Sequence, residues 1–253
     1  MTIRAGESDF QIQPVIDIPS NRVCGGEVLW RPAGGVITQE LFDELQEDPV
    51  LNAEVALGSF VFALSHLSKF QSEIWLSVNL STKYMGNGTS FMRSLSKRLP
   101  DLDLLRKKVG KRLVVELSER DIATDHGLMF LENLSSIHSL AIDDFGAGDA
   151  PLNHMLRVDF DKVKVDRSIV SGCDFDSKKQ RFLNWLVGGC HSIGASVCAE
   201  GVETESELAY LRRINSDMGQ GYLWSKAIPA DEFEGLAVPL QSAAKSLGQL
   251  ANL

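Results

Sequence analysis

LVVE at 113–116, LAIDD at 140–144 and KVKVD at 162–166 each run apolar and β-branched and then stop on a carboxylate. The same form recurs outward on both sides, as WLSVN ending at Asn79 and SVCAE ending at Glu200. Runs of Val, Ile and Leu of this length read as strands covered on both faces, the condition of a parallel sheet packed under helices. If such strands close into a barrel, their C-terminal ends converge on one mouth, and polar residues far apart in sequence become neighbours. Several carboxylates within a few Å of one another do not all stay ionised without a cation among them. One divalent metal, or two, is the simplest cation to expect.

The segments between these runs have helical periodicity. Thr38 is placed to cap a helix QELFDELQED, and Ala53 to Phe70 carries Val55, Phe60, Leu64 and Leu67 at near-helical spacing. Thr89 or Ser90 opens a helix with Phe91, Leu95 and Leu99 one turn apart, ended by Pro100. Leu128, Leu131, Leu134 and Ile137 face inward on the next. After LAIDD comes a glycine-rich loop, FGAGDAP, and only a brief helical piece before KVKVD. Asp176 or Ser177 begins a helix that presents Phe182, Leu183, Leu186, Cys190 and Ile193, with Gly194 at its C′ position. Thr204 and Glu207 have capping-box spacing for a helix carrying Leu208 and Leu211, and GQGYL is the expected last strand.

This alternation, with room between successive strand ends for a helix and two loops, predicts an α/β chain folded as a (β/α)8 barrel. The 253 residues suit such a barrel, which needs about 250. No Pro/Ser linker or low-complexity stretch divides them, so one domain over residues 1–238 is expected. The tail, 239–253, has Leu240, Ala243, Leu247 and Leu250 at helical spacing; it packs on the barrel, packs on a neighbour, or frays.

A net charge of −9 argues against a DNA or RNA surface, whose affinity comes from clustered Lys and Arg. Arg106-Lys107-Lys108 and Lys111-Arg112 read as short solvated faces. An anionic substrate would be met by bound metal and a few placed cations. The N-terminus lacks the apolar core of a signal peptide, and no run approaches the ~20 apolar residues of a membrane span, so a soluble cytoplasmic protein with no membrane partner is expected. Cys24, Cys173, Cys190 and Cys198 form no CxxC pair and the histidines no HExxH, which argues against zinc and a disulfide framework.

Asp143 and Asp144 offer two carboxylates where a strand breaks into a loop, so one can bridge two ions while the other holds one. Asn79 adds a neutral oxygen, and Glu27, Glu116, Asp166 and Glu200 complete an all-oxygen set suited to Mg²⁺ or Mn²⁺. In KVKVD the period of two puts Lys164 and Asp166 on one face, with Val163 and Val165 toward the helices. A lysine in such a mouth orients or deprotonates a water, and paired ions support in-line phosphoryl displacement. Taken singly, a strand-end Asp or Glu is more often a helix cap or turn former, and Lys164 a counter-charge. Five at barrel-like intervals reverse those odds. Gly146 and Gly148 read as turn formers, and Asp144-Phe145-Gly146 matches the kinase DFG without any of its companion motifs.

GGEVLWR at 25–31, SVNLS at 77–81, VVELSE at 114–119, IDDFGAG at 142–148, VKVDRSIV at 163–170, AEGVET at 199–204 and QGYLWSKAIP at 220–229 resemble the EAL-domain cyclic di-GMP phosphodiesterases. Seven motifs in order, over about residues 8 to 238, carry the resemblance. It implies a TIM-like barrel with one antiparallel strand and an enzyme that hydrolyses cyclic di-GMP to linear pGpG with two Mg²⁺ or Mn²⁺ ions. It further implies that Glu27, Asn79, Glu116 and Asp143 surround one ion, and that Asp144, Asp166 and Glu200 serve the other with Asp143 shared. Lys164 would hold or activate the attacking water with help from Glu200. Gln220 would help close the site, Arg31 would pair with a substrate phosphate, and Asp144 would lie against the substrate. Glu119 is implied to steady the loop after Asp144, and Glu203 to stand behind the ligands.

The chain departs from the family pattern at Val28, between Arg31 and Gly35, from Phe145 to Met155, at Asn215-Ser216-Asp217 and at Ala227, and none of these removes a ligand. The alternatives are a non-catalytic EAL-like cyclic di-GMP receptor or protein-binding adaptor, and a barrel metalloenzyme for another phosphate ester. With no sensory domain, receiver or GGDEF-like partner read in the chain, regulation is expected through expression, a homodimer or a separate protein.

Overall fold

The computed structural model describes residues 10–32, 45, 47–70, 73–81, 88–99, 101–118, 131–147 and 158–237. In chain order these form β1 (Phe10–Asp17), β2 (Arg22–Trp30), α1 (Pro49–Leu67), β3 (Trp75–Asn79), α2 (Thr89–Arg98), α3 (Leu102–Val109), β4 (Leu113–Ser118), β5 (Ser139–Phe145) and β6 (Lys162–Val165). Then follow α4 (Arg167–Val170), α5 (Ser177–Ser192), β7 (Ser196–Ala199), α6 (Glu205–Arg213), β8 (Met218–Gly219) and α7 (Ala230–Ala237). The eight strands close a barrel in sequence order. β1 runs antiparallel to both its neighbours, and the other pairs are parallel. The (β/α)8 expectation with one antiparallel strand is the fold observed.

Strand alternation sorts the side chains into two compartments. Leu76 and Val78, Leu113, Val115 and Leu117, Leu140 and Ile142, Val163 and Val165, and Val197 and Ala199 face outward into one core shared with the helices. Their inward neighbours fill the barrel in layers. At its closed end a small plug of Val15, Cys198 and Met218 packs with Cys24 and Trp75, and above it the lumen turns polar. Gly25 on β2 makes this packing possible, because a Cβ there would fall 2.2 Å from the Trp75 ring, and Gly26 does the same for the outer core, where a Cβ would fall 2.4 Å from Ile12.

Helix starts follow their caps. Asp48 Oδ1 accepts from Val50 and Leu51 N with Pro49 in the first turn, Asp176 Oδ1 accepts from Lys178 and Lys179 N, and Thr204 with Glu207 closes a full capping box. α1 is long and apolar enough to cross a membrane, yet 56% of that stretch is buried inside the molecule, where it packs against β3, α2 and α3 as a core helix.

The structure changes several expectations. β1, FQIQPVID, is not among the apolar runs because two glutamines and Pro14 interrupt it; Pro14 sits opposite Gly26 beside a register shift at Val15/Ile16. On α5 the inward stripe is Leu183, Leu186, Val187 and Cys190, while Phe182 and Ile193 lie outside it, exposed. Phe182 packs on Trp185 instead, with ring centroids 5.8 Å apart. The last strand is Met218–Gly219 rather than GQGYL, since the chain turns at Gly221, whose position against the Val202 backbone leaves no room for a Cβ. α3, between Pro100 and β4, was not read from the sequence. α2 does open at Thr89, with Gly88, φ +73°, as its N-cap. The Thr38 cap with most of its helix, Leu128, the loop beyond Ala147 with the short helical piece after it, Glu119 and the 239–253 tail lie outside the described residues.

Candidate active site

Glu27, Asn79, Glu116, Asp143 and Lys164 each occupy an inward position near the C-terminal end of β2, β3, β4, β5 and β6, and Glu200 and Gln220 directly follow β7 and β8. Register steps them along the barrel: Asn79 lies opposite Glu116, whereas Glu27 lies opposite Ser77 and Asp143 opposite Ser118, each two residues out of step with its neighbour in the cluster. Asp144 would face outward if β5 stayed regular. It takes a left-handed conformation, φ +53°, at a register shift between Ile142 and Phe145, and this turns two successive carboxylates toward one mouth.

Lys164 stands at the centre, its side chain 5% exposed. Its Nζ lies 3.1 Å from Glu27 Oε2, 2.8 Å from Glu116 Oε2, 2.8 Å from Asp143 Oδ1 and 2.8 Å from Glu200 Oε1. An ammonium has three N–H donors, so four carboxylates cannot all be hydrogen-bonded to it at once. Glu27 and Glu116 accept hydrogen bonds from it. Asp143 Oδ1 is within ion-pair contact, but accepts no hydrogen bond from the described residues. Asn79 Nδ2 donates to Glu27 Oε1 at 2.9 Å and Gln220 Nε2 to Glu27 Oε2 at 2.9 Å.

The protonation pattern follows from one cation shared among too many anions. Burial alone would depress the Lys164 ammonium, but Asp143, Glu116, Glu200 and Glu27 together hold its pKa well above the ordinary lysine value. Burial also works to raise Glu27; Lys164, Gln220 and Asn79 outweigh it and keep this carboxyl below its ordinary value. Glu116 is pushed well above, by burial and by Glu27 and Asp143, against the pull of Lys164. Burial, with Asp143 and Glu27, lifts Glu200 to about 8 despite Lys164. Asp144 rises to about 6, through burial and then the neighbouring Asp143. The cluster thus holds protons at neutral pH that a stronger counter-charge would displace.

Two groups of oxygens are spaced to supply that counter-charge. Glu27, Glu116 and Asp143 can bring one ligand atom each within 4.8 Å of one another, and so can Asp143, Asp144 and Glu200, with Asp143 common to both. Among the described residues Asp143 Oδ1, close to Lys164 but not hydrogen-bonded to it, and Gln220 Oε1 are buried acceptors with no hydrogen-bond donor, atoms that a divalent cation would satisfy. The donor set is oxygen throughout and mostly anionic, so the residues fit hard divalent cations.

A cavity of about 310 Å³ opens from this cluster toward β2 and α1. Glu27, Asn79, Glu116, Asp143 and Asp144 line it together with Ser81, Ser118 and Arg31; Arg31 Nη1 donates to Trp30 O. Asp166 is less central. Its charge reaches Asp144, but β6 has ended at Val165 and Asp166 Oδ1 caps α4 by accepting from Ser168 N. Glu203 is removed from the cluster and pairs with Arg167 at 2.8 Å. One functional candidate escaped the sequence reading: Glu207, noted only for its capping spacing, is a buried carboxylate bonded to two different loops.

The EAL domain family model matches residues 1–227. The chain is 26% identical over 235 residues to "Probable cyclic di-GMP phosphodiesterase PdeD" of Escherichia coli (strain K12), covering 90% of this chain and 43% of that protein. It is 28% identical over 232 residues to "Bifunctional diguanylate cyclase/cyclic di-GMP phosphodiesterase MucR" of Pseudomonas aeruginosa, covering 87% of this chain and 33% of that one. The chain spans less than half the length of these relatives. Among solved structures, "PaMucR Phosphodiesterase, c-di-GMP complex" superposes with a TM-score of 0.75 at 26% identity, over 88% of this chain and 93% of that one. "Klebsiella pneumoniae BlrP1 pH 8.0 calcium/cy-diGMP complex" gives 0.74 at 26% identity, over 90% and 58%.

Proposed function

Because the chain belongs to the EAL domain family, we propose that it is a metal-dependent phosphodiesterase that hydrolyses cyclic di-GMP to linear pGpG. The observation that carries this reading is the pair of oxygen clusters sharing Asp143 around a buried lysine at a barrel mouth. Glu27, Asn79, Glu116 and Asp143 would hold one Mg²⁺ or Mn²⁺ ion, and Asp143, Asp144 and Glu200, with Asp166 nearby, the second. Bound there, paired divalent cations activate a water and stabilise charge on the leaving oxygen of a phosphodiester.

The chain's own groups have separate tasks. A lysine held above its ordinary pKa is no base at neutral pH, so we assign Lys164 to orienting the water and Glu200 to receiving its proton. Gln220 fixes Glu27 from the side opposite Asn79. Arg31, which lines the same cavity, would meet the charge of a substrate phosphate. Glu203, paired with Arg167, steadies the loop that follows Glu200.

We place the protein in the cytoplasm, as a homodimer joined through the outer face of α5. Phe182 and Trp185 are 40% and 58% exposed there, the kind of aromatic pair that interfaces cover, and Ile193, 52% exposed, follows the helix end. Control by a separate protein remains part of this proposal.

Incubation with cyclic di-GMP and Mg²⁺ or Mn²⁺, with and without a chelator, tests the activity. The expected product is pGpG, lost on chelation. Tight binding without pGpG would replace the enzyme reading with that of a receptor or adaptor. Cleavage of bis(p-nitrophenyl) phosphate without any cleavage of cyclic di-GMP would point to another phosphate ester.

A further inference from the structure

Glu207 lies one turn into α6 and is 5% exposed, yet among the described residues no Lys or Arg pairs with it. Three backbone N–H groups hold its carboxylate instead. Oε2 accepts from Glu203 N and Thr204 N at 3.0 Å each, and Oε1 accepts from Gly172 N at 2.9 Å. The bonds of Oε2 are those of an N-terminal cap. The Gly172 bond has no part in capping, since Gly172 lies 35 residues earlier in the loop between β6 and α5.

That loop begins at Asp166, and the loop holding Glu203 and Thr204 begins at Glu200. One carboxylate therefore joins the two segments that leave the mouth beside the Asp143–Asp144–Glu200 cluster. Two neighbouring contacts run along the same seam. Arg167 Nη2 lies 2.8 Å from Glu203 Oε1, and Gly201, φ +64°, sits so close beneath Arg167 that a Cβ would fall 2.4 Å from its Cγ. Glu200 N bonds Val165 O at 3.0 Å, which fixes the start of its loop but not the segment beyond.

We propose that Glu207 is a positioning residue for the cation centre: by tying segment 200–204 to segment 166–172 it sets the Glu200 carboxylate against Asp143 and Asp144. The role rests on the cation chemistry proposed above, but it can be read without turnover. Groups that orient ligand side chains typically alter metal affinity by about 10- to 100-fold when removed.

Glu207→Gln separates this role from capping. Glutamine at the same position still completes a capping box through its oxygen, but its NH₂ group would then face the Gly172 N–H, donor against donor. Glu207→Asp keeps the charge and is one methylene too short to reach both loops. Asp217→Asn serves as the control, because Asp217 also joins two elements, accepting from Val197 N at 2.8 Å and lying 2.8 Å from His191 Nε2, at the far end of the barrel.

Mn²⁺ titration by calorimetry, with melting temperatures alongside, decides the matter. The wild type is expected to take up two ions. Glu207→Gln should bind one of them about tenfold more weakly, with kcat reduced and KM for cyclic di-GMP unchanged, while Asp217→Asn binds like wild type. Wild-type affinity in Glu207→Gln, or equal losses in Glu207→Gln and Asp217→Asn, would overturn the proposal. If Glu207→Gln does not fold, Glu207→Asp is judged by the same criteria. A wild type that takes up no Mn²⁺ refutes the cation centre itself, and one that binds two ions without cleaving cyclic di-GMP refutes the enzyme reading while the titration still decides Glu207.

Discussion

Cation binding by this cluster should expel protons, and the number can be worked from the structure. Glu200, lifted to about 8, is about 90% protonated at pH 7, and Asp144, lifted to about 6, about 10% protonated. Loading with Mn²⁺ must displace both, releasing about one proton per chain at pH 7. The sign follows directly: protons and cations compete for the same oxygens, so affinity rises with pH. Between pH 6 and pH 8 Glu200 and Asp144 together predict an increase of about 100-fold in Mn²⁺ affinity. Above pH 9 the contribution of Glu200 falls below about 0.1 proton. Calorimetric titration in buffers of differing ionisation enthalpy counts the protons, and repeating it at several pH values gives the slope. An affinity that is flat from pH 6 to pH 8, or binding with no proton release at pH 7, would refute the assignment of these carboxyls as ligands.

The same shifts fix the pH dependence of the cation-free fold. Between the ordinary value of 4.5 and about 8 the folded chain keeps a proton on Glu200 that the unfolded chain loses, so melting temperature should fall as pH rises through that window and recover on adding Mn²⁺; no recovery would count against the centre. Glu27→Ala and Asp143→Ala should abolish metal-dependent cleavage of cyclic di-GMP with circular dichroism unchanged, and near-normal rates in either would sink the assignment. Lys164→Met removes the cation that competes for Asp143 and Glu200, so Mn²⁺ should bind at least as tightly while kcat falls by about 100-fold or more; a weaker Mn²⁺ affinity would contradict that role. Thr204→Ala loses the side-chain half of the α6 cap and should cost about 1 kcal/mol in denaturant unfolding; a loss near zero would show the cap to be redundant with Glu207.

Much of this was legible in the chain because the signal is periodic. The outward Val and Leu of β4 to β7 and the inward Glu116, Asp143 and Lys164 follow from a period of two, which also separates Lys164 from Val163 and Val165. That reading stops where a strand stops. Periodicity carried Asp166 onto the lysine's face, but β6 ends at Val165 and the next residue turns to cap α4. At Asp144 the reverse holds: a regular strand would have turned it away, and a left-handed residue brings it in. β1 lay hidden behind Gln11, Gln13 and Pro14, and its reversed direction came from the family resemblance, since composition carries no record of strand polarity. The four-fold contact of Lys164 and the Glu207–Gly172 bond depend on residues 21 to 137 positions apart, a scale on which local pattern is silent.

In the proposed centre one carboxylate, Asp143, joins two cation sites at the mouth of the barrel. Anomalous diffraction from crystals grown with Mn²⁺ tests it most directly. Two peaks bridged by Asp143, one bounded by Glu27 and Glu116 and the other by Asp144 and Glu200, are the predicted result. A fully occupied crystal with a single peak, or with peaks that Asp143 does not touch, would contradict it.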